Sequence, residues 1–303
     1  MKQTRTGTHR NNKAPVIPGA VKIILALVVL LCAAMLILGR GTLRAAEPTP
    51  DPHAGMVEVF NGASYVLVVP QEGVPVNQLT EADFEMDEAL GPVYTGTQYD
   101  TRRGIDVSVY QGDIDWQAVA DSGIDFAVIR AGGTFYVSGE VYADDYFEQN
   151  LIGAQTAGLD AGVYFFSQAI TLEEAREEAR YVLDMLAGRE LQLPVFFDWE
   201  RIANDPDART NDLDGTTLTD CAIAFCEEIE NAGYEAGVYI YSDTGYYGYE
   251  LARLQDYMLW SAAPGENPYF YYAHSLWQYS FTGAVSGIEG NCDMNMLFIK
   301  RQT

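Results

Sequence analysis

Leu193-Pro194-Val195-Phe196-Phe197-Asp198-Trp199-Glu200 is a short apolar run that holds a proline near its start and closes on two carboxylates. Its length and its Val and Phe content, between a helical pattern and a polar loop, mark a buried parallel strand. Side chains two apart on a strand share a face and sit roughly 6 to 7 Å apart. Asp198 and Glu200 therefore point together from the carboxyl end, and Trp199 points away. Two carboxylates this close do not both ionise freely, so one is expected to keep its proton near neutral pH and to serve as a donor. A donor acid beside a second carboxylate suits hydrolysis of a glycosidic bond. Taken alone, an Asp-x-Glu strand end is more simply read as two solvated acids. The rest of the chain decides.

On both sides of this strand the sequence alternates strand and helix patterns with short connections. Strands are expected over 105–109, 126–131, 161–166, 195–199, 236–241, 257–261, 275–279 and 294–298. Between them, Thr171-x-x-Glu174 reads as a capping box, Leu172, Ala175, Ala179, Val182 and Leu186 keep helical spacing, and Gly188 stops the helix. Leu218, Ala222, Phe225 and Ile229 make one face of a second helix that ends before Gly233. About eight such strands in some 200 residues favour a closed α/β barrel over an open doubly wound sheet. The fold class expected is a TIM-like irregular (β/α) barrel over 104–303, preceded by a transmembrane helix and a small β extension.

Upstream, Lys2, Arg5, Arg10, Lys13 and Lys22 stand in a stretch without acids, and 23–39 is an uncharged, mostly apolar run at the short end of a membrane span. Residues 1–22 are expected to be a cytoplasmic tail and 23–39 an uncleaved anchor that leaves the rest of the chain outside the cell. The alternative is a signal peptide and secretion after cleavage, but the apolar run exceeds the usual length for one. Residues 40–55 form a stalk. In 56–103, Val57 to Phe60 and Tyr65 to Val69 flank Asn61-Gly62, the pattern of a β-hairpin. This extension is too small for an independent core and is expected to pack on the barrel C-terminal to it.

The net charge of −25 argues against nucleic acid as a partner. The four cysteines do not suggest a disulfide framework and are read as buried thiols. No glycine-rich phosphate loop follows any strand. The three histidines do not cluster as metal ligands, and neither a metal nor an organic cofactor is expected.

At the carboxyl ends of barrel strands, acids recur: Asp106, the Asp198 and Glu200 pair, and Asp293. Aromatics accompany them, including Tyr164, Tyr239, Tyr241, Trp260, Trp277 and Tyr279. Residues at these ends converge on one mouth, and a mouth of acids and aromatics suits a polysaccharide. The competing reading places the aromatics in the barrel core, and Phe165, Phe196 and Trp199 are assigned there.

The order Gly104-Ile105-Asp106-Val107-Ser108, Gln111-Gly112-Asp113-Ile114-Asp115-Trp116, Phe126-Ala127-Val128-Ile129-Arg130-Ala131, Gly162-Val163-Tyr164-Phe165-Phe166, Phe197-Asp198-Trp199-Glu200, Trp277-Gln278-Tyr279 and Asp293-Met294-Asn295 resembles glycoside hydrolase family 25, the muramidases of peptidoglycan. The resemblance implies an irregular barrel, with Glu200 as general acid, Asp198 as its partner, and Asp106 and Asp293 as cleft acids that tune them. It also implies Tyr164 and Trp277 in the sugar site, with Tyr241 and Gln278 as further substrate contacts. The reaction implied is cleavage of the β-1,4 bond between N-acetylmuramic acid and N-acetylglucosamine, with the peptidoglycan glycan strand as partner. An inactive glycan-binding barrel and a chitinase-type enzyme are the alternatives. A chitinase is expected to carry another acid where Phe196 stands.

Overall fold

The computed structural model describes Leu27, Leu30 and residues 53–88, 91–202 and 204–301. The expected tail and anchor lie outside these residues except for Leu27 and Leu30, which are helical, as does the stalk before residue 53. Among the described residues no helix is long and apolar enough to cross a membrane. The chain divides into two units, 1–54 and 55–303, and the second holds both the extension and the barrel.

The extension opens with an antiparallel hairpin, β1 (Val57–Phe60) and β2 (Tyr65–Val68). Its turn forms where Asn61-Gly62 predicts one. The Asn61 carboxamide oxygen accepts the amides of Ala63 (3.0 Å) and Ser64 (2.9 Å), and Gly62 sits at φ 96°, which a side chain resists. A second hairpin, β3 (Phe84–Asp87) with β4 (Gly91–Tyr94), was not legible in the sequence.

Eight strands close the barrel. They are β5 (Tyr99–Val107), β6 (Phe126–Thr134), β8 (Asp160–Ser167), β9 (Val195–Trp199), β10 (Ala236–Tyr241), β11 (Met258–Ala262), β12 (Leu276–Gly283) and β13 (Cys292–Lys300), in that order around the ring. Between β6 and β8 in sequence, the short β7 (Val141–Ala143) adds to the end of β6 outside the ring. Pairing is parallel from β5 through β12, whereas β13 runs antiparallel to both of its neighbours and closes the ring against β5. Repeated βα units predict parallel strands throughout. The last strand departs because the short connection 284–291 between β12 and β13 cannot carry the chain back along the barrel, whereas the longer 263–275 does so between the parallel β11 and β12.

Five helices lie among these strands: α1 (Trp116–Asp121), α2 (Phe147–Thr156), α3 (Leu172–Leu186), α4 (Gly215–Asn231) and the short α5 (Ser242–Tyr247). Thr171 caps α3 by accepting the Glu174 amide at 3.2 Å, and Ala187 and Gly188 end it in the left-handed region. The buried face of α3 is Ala175, Ala179, Val182 and Leu186, with one charged member, Glu178.

Strand alternation sorts the core into two layers. Phe126, Val128, Phe196, Tyr239, Trp260, Leu276 and Leu297 fill the barrel interior. Ile129, Phe165, Phe197, Trp199 and Trp277 face outward, most of them against the helices. Gly104 and Gly237 stand where a Cβ would overlap the rings of Phe126 and Phe196, so the interior closes around bulky rings at those two points. Cys221, Cys226 and Cys292 are buried free thiols.

The extension is stitched to this barrel. Gln71 donates to the Tyr249 carbonyl (2.8 Å) and accepts the Leu251 amide (2.7 Å), and Asn77 donates to the carbonyls of Pro268 (2.9 Å) and Phe270 (3.1 Å). Phe84 packs edge-on to Trp277 at 5.4 Å and Tyr94 to Phe298 at 6.0 Å. The first barrel strand begins within the region assigned to the extension, at Tyr99.

Candidate active site

Inward-facing positions at the carboxyl ends of the parallel strands, joined by the amino end of the reversed β13, meet at one open cleft of about 530 Å³. Asp106 from β5, Arg130 from β6, Tyr164 from β8, Asp198 and Glu200 from and just after β9, and Asp293 from β13 all line it. Register explains the convergence. Asp293 is paired directly with Asp106, and Asp198 lies between Phe166 of β8 and Tyr239 of β10.

A buried set of hydrogen bonds fixes the floor. Asp106 Oδ2 accepts from Gln278 Nε2 (2.7 Å) and from Asn295 Nδ2 (2.8 Å), and Gln278 Nε2 also donates to Asp293 Oδ2 (3.1 Å). Each amide is held in turn. Trp260 Nε1 donates to Asn295 Oδ1 and the Tyr239 hydroxyl to Gln278 Oε1, both at 2.8 Å. These bonds settle which end of each amide faces the acids. By contrast, Asp198 Oδ1 is buried without a protein partner, an acceptor left for whatever enters the cleft.

All four carboxyls titrate above the ordinary range. Burial pushes Asp106 up to about 8, with the charge of Asp293 adding to it and the two amide donors opposing. Burial alone raises Asp293 to about 6. Asp198 is raised well above its usual value by burial, then by Glu200 and Asp106, with Arg130 opposing. Glu200 is exposed toward the cleft. It is raised by the protein packed around its carboxyl and then by Asp293, while water entering the cleft screens it. Asp198 and Glu200 repel each other when both are ionised, which favours a proton on one of the pair. Such a set loses its protons in steps that belong to the group.

One cation answers this charge. Arg130 Nε donates to Asp144 Oδ2 at 2.7 Å, and its guanidinium lies 5.0 Å from the ring centre of Tyr110. Asp144 is fully enclosed and also accepts the amides of Val109 and Tyr146, both at 2.9 Å, so Arg130 is held from a rigid point. Tyr110 on the rim is 84% exposed, and Phe135 and Tyr142, whose rings lie 4.5 Å apart, continue the aromatic flank. Sequence reading gave Arg130 no role of its own, although it stands in one of the family motifs, and passed over Asp144, Phe135 and Tyr142. The signal available was Arg130 itself, whose parity with Phe126 and Val128 turns it inward.

Other expected contacts fall elsewhere. Trp277 is buried outside the barrel, donating to the Ala263 carbonyl at 2.8 Å and stacking near Phe298. Adjacent strand residues face opposite sides, so Trp277 cannot join Gln278 in the sugar site. Gln278 lies beneath the cleft, within reach of the acids rather than on the surface. Tyr241 faces inward, half-buried among the interior side chains, but does not line this cleft.

Residues 105–288 match the family described as Glycosyl hydrolases family 25. The chain belongs to this family. Similar proteins include the autolytic lysozyme of Clostridium acetobutylicum, 28% identical over 196 residues, which cover 64% of this chain and 55% of that protein. Lysozyme M1 of Streptomyces globisporus is 29% identical over 281 residues, 88% of this chain and 87% of that one. The structure of a family 25 glycosyl hydrolase from Bacillus anthracis superposes with a TM-score of 0.52 at 24% identity, covering 66% of this chain and 89% of that one. The family match stops short of β13, so Asp293 enters the site from beyond it, and the extension precedes it.

Proposed function

We propose that this glycosyl hydrolase cleaves the β-1,4 bond between N-acetylmuramic acid and N-acetylglucosamine in peptidoglycan by carboxylate acid/base catalysis. The observation that carries the reading is the pair on one strand end, Asp198 buried with an unpartnered oxygen and Glu200 open to the same cleft. The lysozymes among its relatives support the substrate.

Glu200 is the general acid, since its side chain is the one water and substrate reach and its proton is retained by enclosure and by Asp293. Asp198, whose ionised form is favoured by Arg130 across the cleft, supplies the negative charge that steadies the oxocarbenium-like centre as the bond breaks. Asp293, the more acidic of the two carboxyls tied through Gln278, keeps negative charge near Glu200, while Asp106 holds a proton at neutral pH, and neither touches the scissile bond. Tyr164 and the aromatic flank of Tyr110, Phe135 and Tyr142 receive the sugar faces, and Arg130 restrains the total charge. Residues 23–39 hold the enzyme in the cell membrane with the barrel outside, which the basic flank of 1–22 supports.

Release of reducing muramic ends from purified peptidoglycan, with chitin as control, tests the reading. Glu200→Gln is expected to lose activity by roughly 10²- to 10⁴-fold while still binding glycan. Equal clearing of cell walls by that variant would end the assignment. Protease accessibility of the barrel on intact cells checks the topology.

A further inference from the structure

The buried face of α3 carries a single charged residue, Glu178, and the cleft makes no use of it. Its carboxylate collects the ends of two barrel strands. Thr134 Oγ1, at the end of β6, donates to Oε1 at 2.5 Å, and Ser167 Oγ, at the end of β8, donates to Oε2 at 2.6 Å. The amide of Gln168 approaches Oε1 at 3.4 Å. Gln168 then reaches the third strand: its Nε2 donates to the main-chain oxygen of Glu200 at 3.2 Å, and its Oε1 accepts from Thr210 Oγ1 at 2.8 Å. Thr134, Ser167, Gln168, Glu178 and Thr210 are all buried.

A buried carboxylate is expensive unless each of its lone pairs is met. An apolar residue would complete the face made by Ala175, Ala179 and Val182 more simply, so packing does not explain Glu178. What the carboxylate adds is position. Strand β9 ends at Trp199, which pairs with Ser167 of β8, so the ladder stops at that point. The Gln168 side chain carries the hold one step further, onto the carbonyl of Glu200.

We propose that Glu178 is a positioning residue for the catalytic acid, acting through Gln168 to hold the backbone at Glu200 against the ends of β6 and β8. The inference rests on Glu200 being the acid. Glu178 touches neither substrate nor the reacting atoms. In the ionised form, present above about pH 7, its two oxygens only accept, and three donors converge on them. An amide in its place offers one acceptor oxygen and turns a donor toward one of the hydroxyls, so Glu178→Gln keeps the volume and loses part of the clamp. A displacement of a fraction of an ångström at Glu200 acts on proton transfer more than on sugar binding.

The test is a double-mutant cycle of Glu178→Gln and Gln168→Met, read as kcat and KM on soluble glycan fragments, with melting temperature recorded for each protein. Each single variant is expected to lower kcat roughly 10-fold, about what one hydrogen bond is worth, with KM changed less than about twofold. The double variant is expected to fall no further than the weaker single variant, because both act through one contact. In the same proteins the 13C resonance of the Glu200 carboxyl is expected to move from its wild-type position, a readout that does not need turnover. Losses that multiply in the double variant, a change confined to KM, or lower melting temperature with unchanged kcat per folded molecule and an unmoved Glu200 resonance would each overturn the proposal. A wild-type enzyme that releases no reducing ends would instead overturn the proposed reaction, and the carboxyl resonance would still decide the role of Glu178.

Discussion

Gln278 Nε2 donates at once to Asp106 Oδ2, at 2.7 Å, and to Asp293 Oδ2, at 3.1 Å, so one amide holds together two carboxyls that repel each other. Replacing it by leucine leaves both acids in place and removes what they share. A hydrogen bond to a charged group is worth about 1.5–3 kcal/mol. Gln278→Leu is therefore expected to lower kcat/KM roughly 10- to 100-fold and to shift the pH–rate profile, since Asp106 loses a donor that favours its ionised form. An unchanged profile in steady-state kinetics would show that the amide does not couple the two acids.

The raised carboxyls make stability depend on pH in a definite direction. Asp106 titrates near 8 in the folded chain, against an ordinary value of 3.8. Between those values the folded state holds a proton that the unfolded state has released, so stability falls as pH rises. The contribution is complete below about pH 4 and lost by about pH 8. Asp293, near 6, and Glu178, near 7, add the same sign over narrower windows. Asp106→Asn keeps an oxygen for the two amide donors and cannot ionise. Thermal melting from pH 4 to pH 8 is expected to show a smaller loss in Asp106→Asn than in the wild type. Parallel curves would mean that Asp106 is not the proton holder.

Place in the fold separates two aromatics that composition treats alike, Trp277 on the outward side of a barrel strand and Tyr110 in the turn after β5. Trp277 is fully buried, and truncation to alanine is expected to cost about 3–5 kcal/mol, leaving KM unchanged in the molecules that fold. Tyr110 is 84% exposed and lies against Arg130. Tyr110→Ala is expected to change stability by less than about 0.5 kcal/mol and to raise KM roughly 2- to 5-fold, the loss of a contact worth about 0.5–1 kcal/mol. Urea denaturation beside steady-state kinetics tests both, and a KM effect at Trp277 without loss of stability would reverse the assignment.

The cleft acids were legible because Asp198 and Glu200 close an apolar run, and because Asp106, in Gly104-Ile105-Asp106-Val107-Ser108, and Asp293, in Asp293-Met294-Asn295, stand in motifs of the family resemblance. Arg130, Asp144 and the rim aromatics were not, because Asp144, Tyr110 and Phe135 sit in connections whose path depends on tertiary packing. Trp277 was expected in the sugar site from the family resemblance, whereas parity with its neighbour Gln278 turns it outward, where it is buried. The barrel itself followed from repetition of units. The reversed β13 did not, since a strand reads alike in either direction. Nor did the hairpin of β3 and β4, whose residues Phe84-Glu85-Met86-Asp87 bury little on their own and form a strand by covering the barrel.

That cover predicts the behaviour of the barrel without it. Phe84 and Tyr94 lie over Trp277 and Phe298, and Gln71 and Asn77 meet main-chain groups of the loops around Tyr249 and Phe270. Deleting 55–98 uncovers an apolar patch and leaves several main-chain carbonyls and amides of the barrel without partners, among them the amides of Leu251, Ala273 and Arg301. Exposed contiguous apolar surface of this kind drives association, and unpaired buried groups each cost about 1–3 kcal/mol. The family match begins at residue 105, which invites truncation at that boundary. A chain starting at Tyr99 is expected to aggregate or melt well below the longer protein, and Phe84→Ala alone is expected to lower the melting temperature measurably. Sedimentation and thermal melting read both. A truncated barrel as monomeric and as stable as the parent would show that the extension rests on the barrel without supporting it.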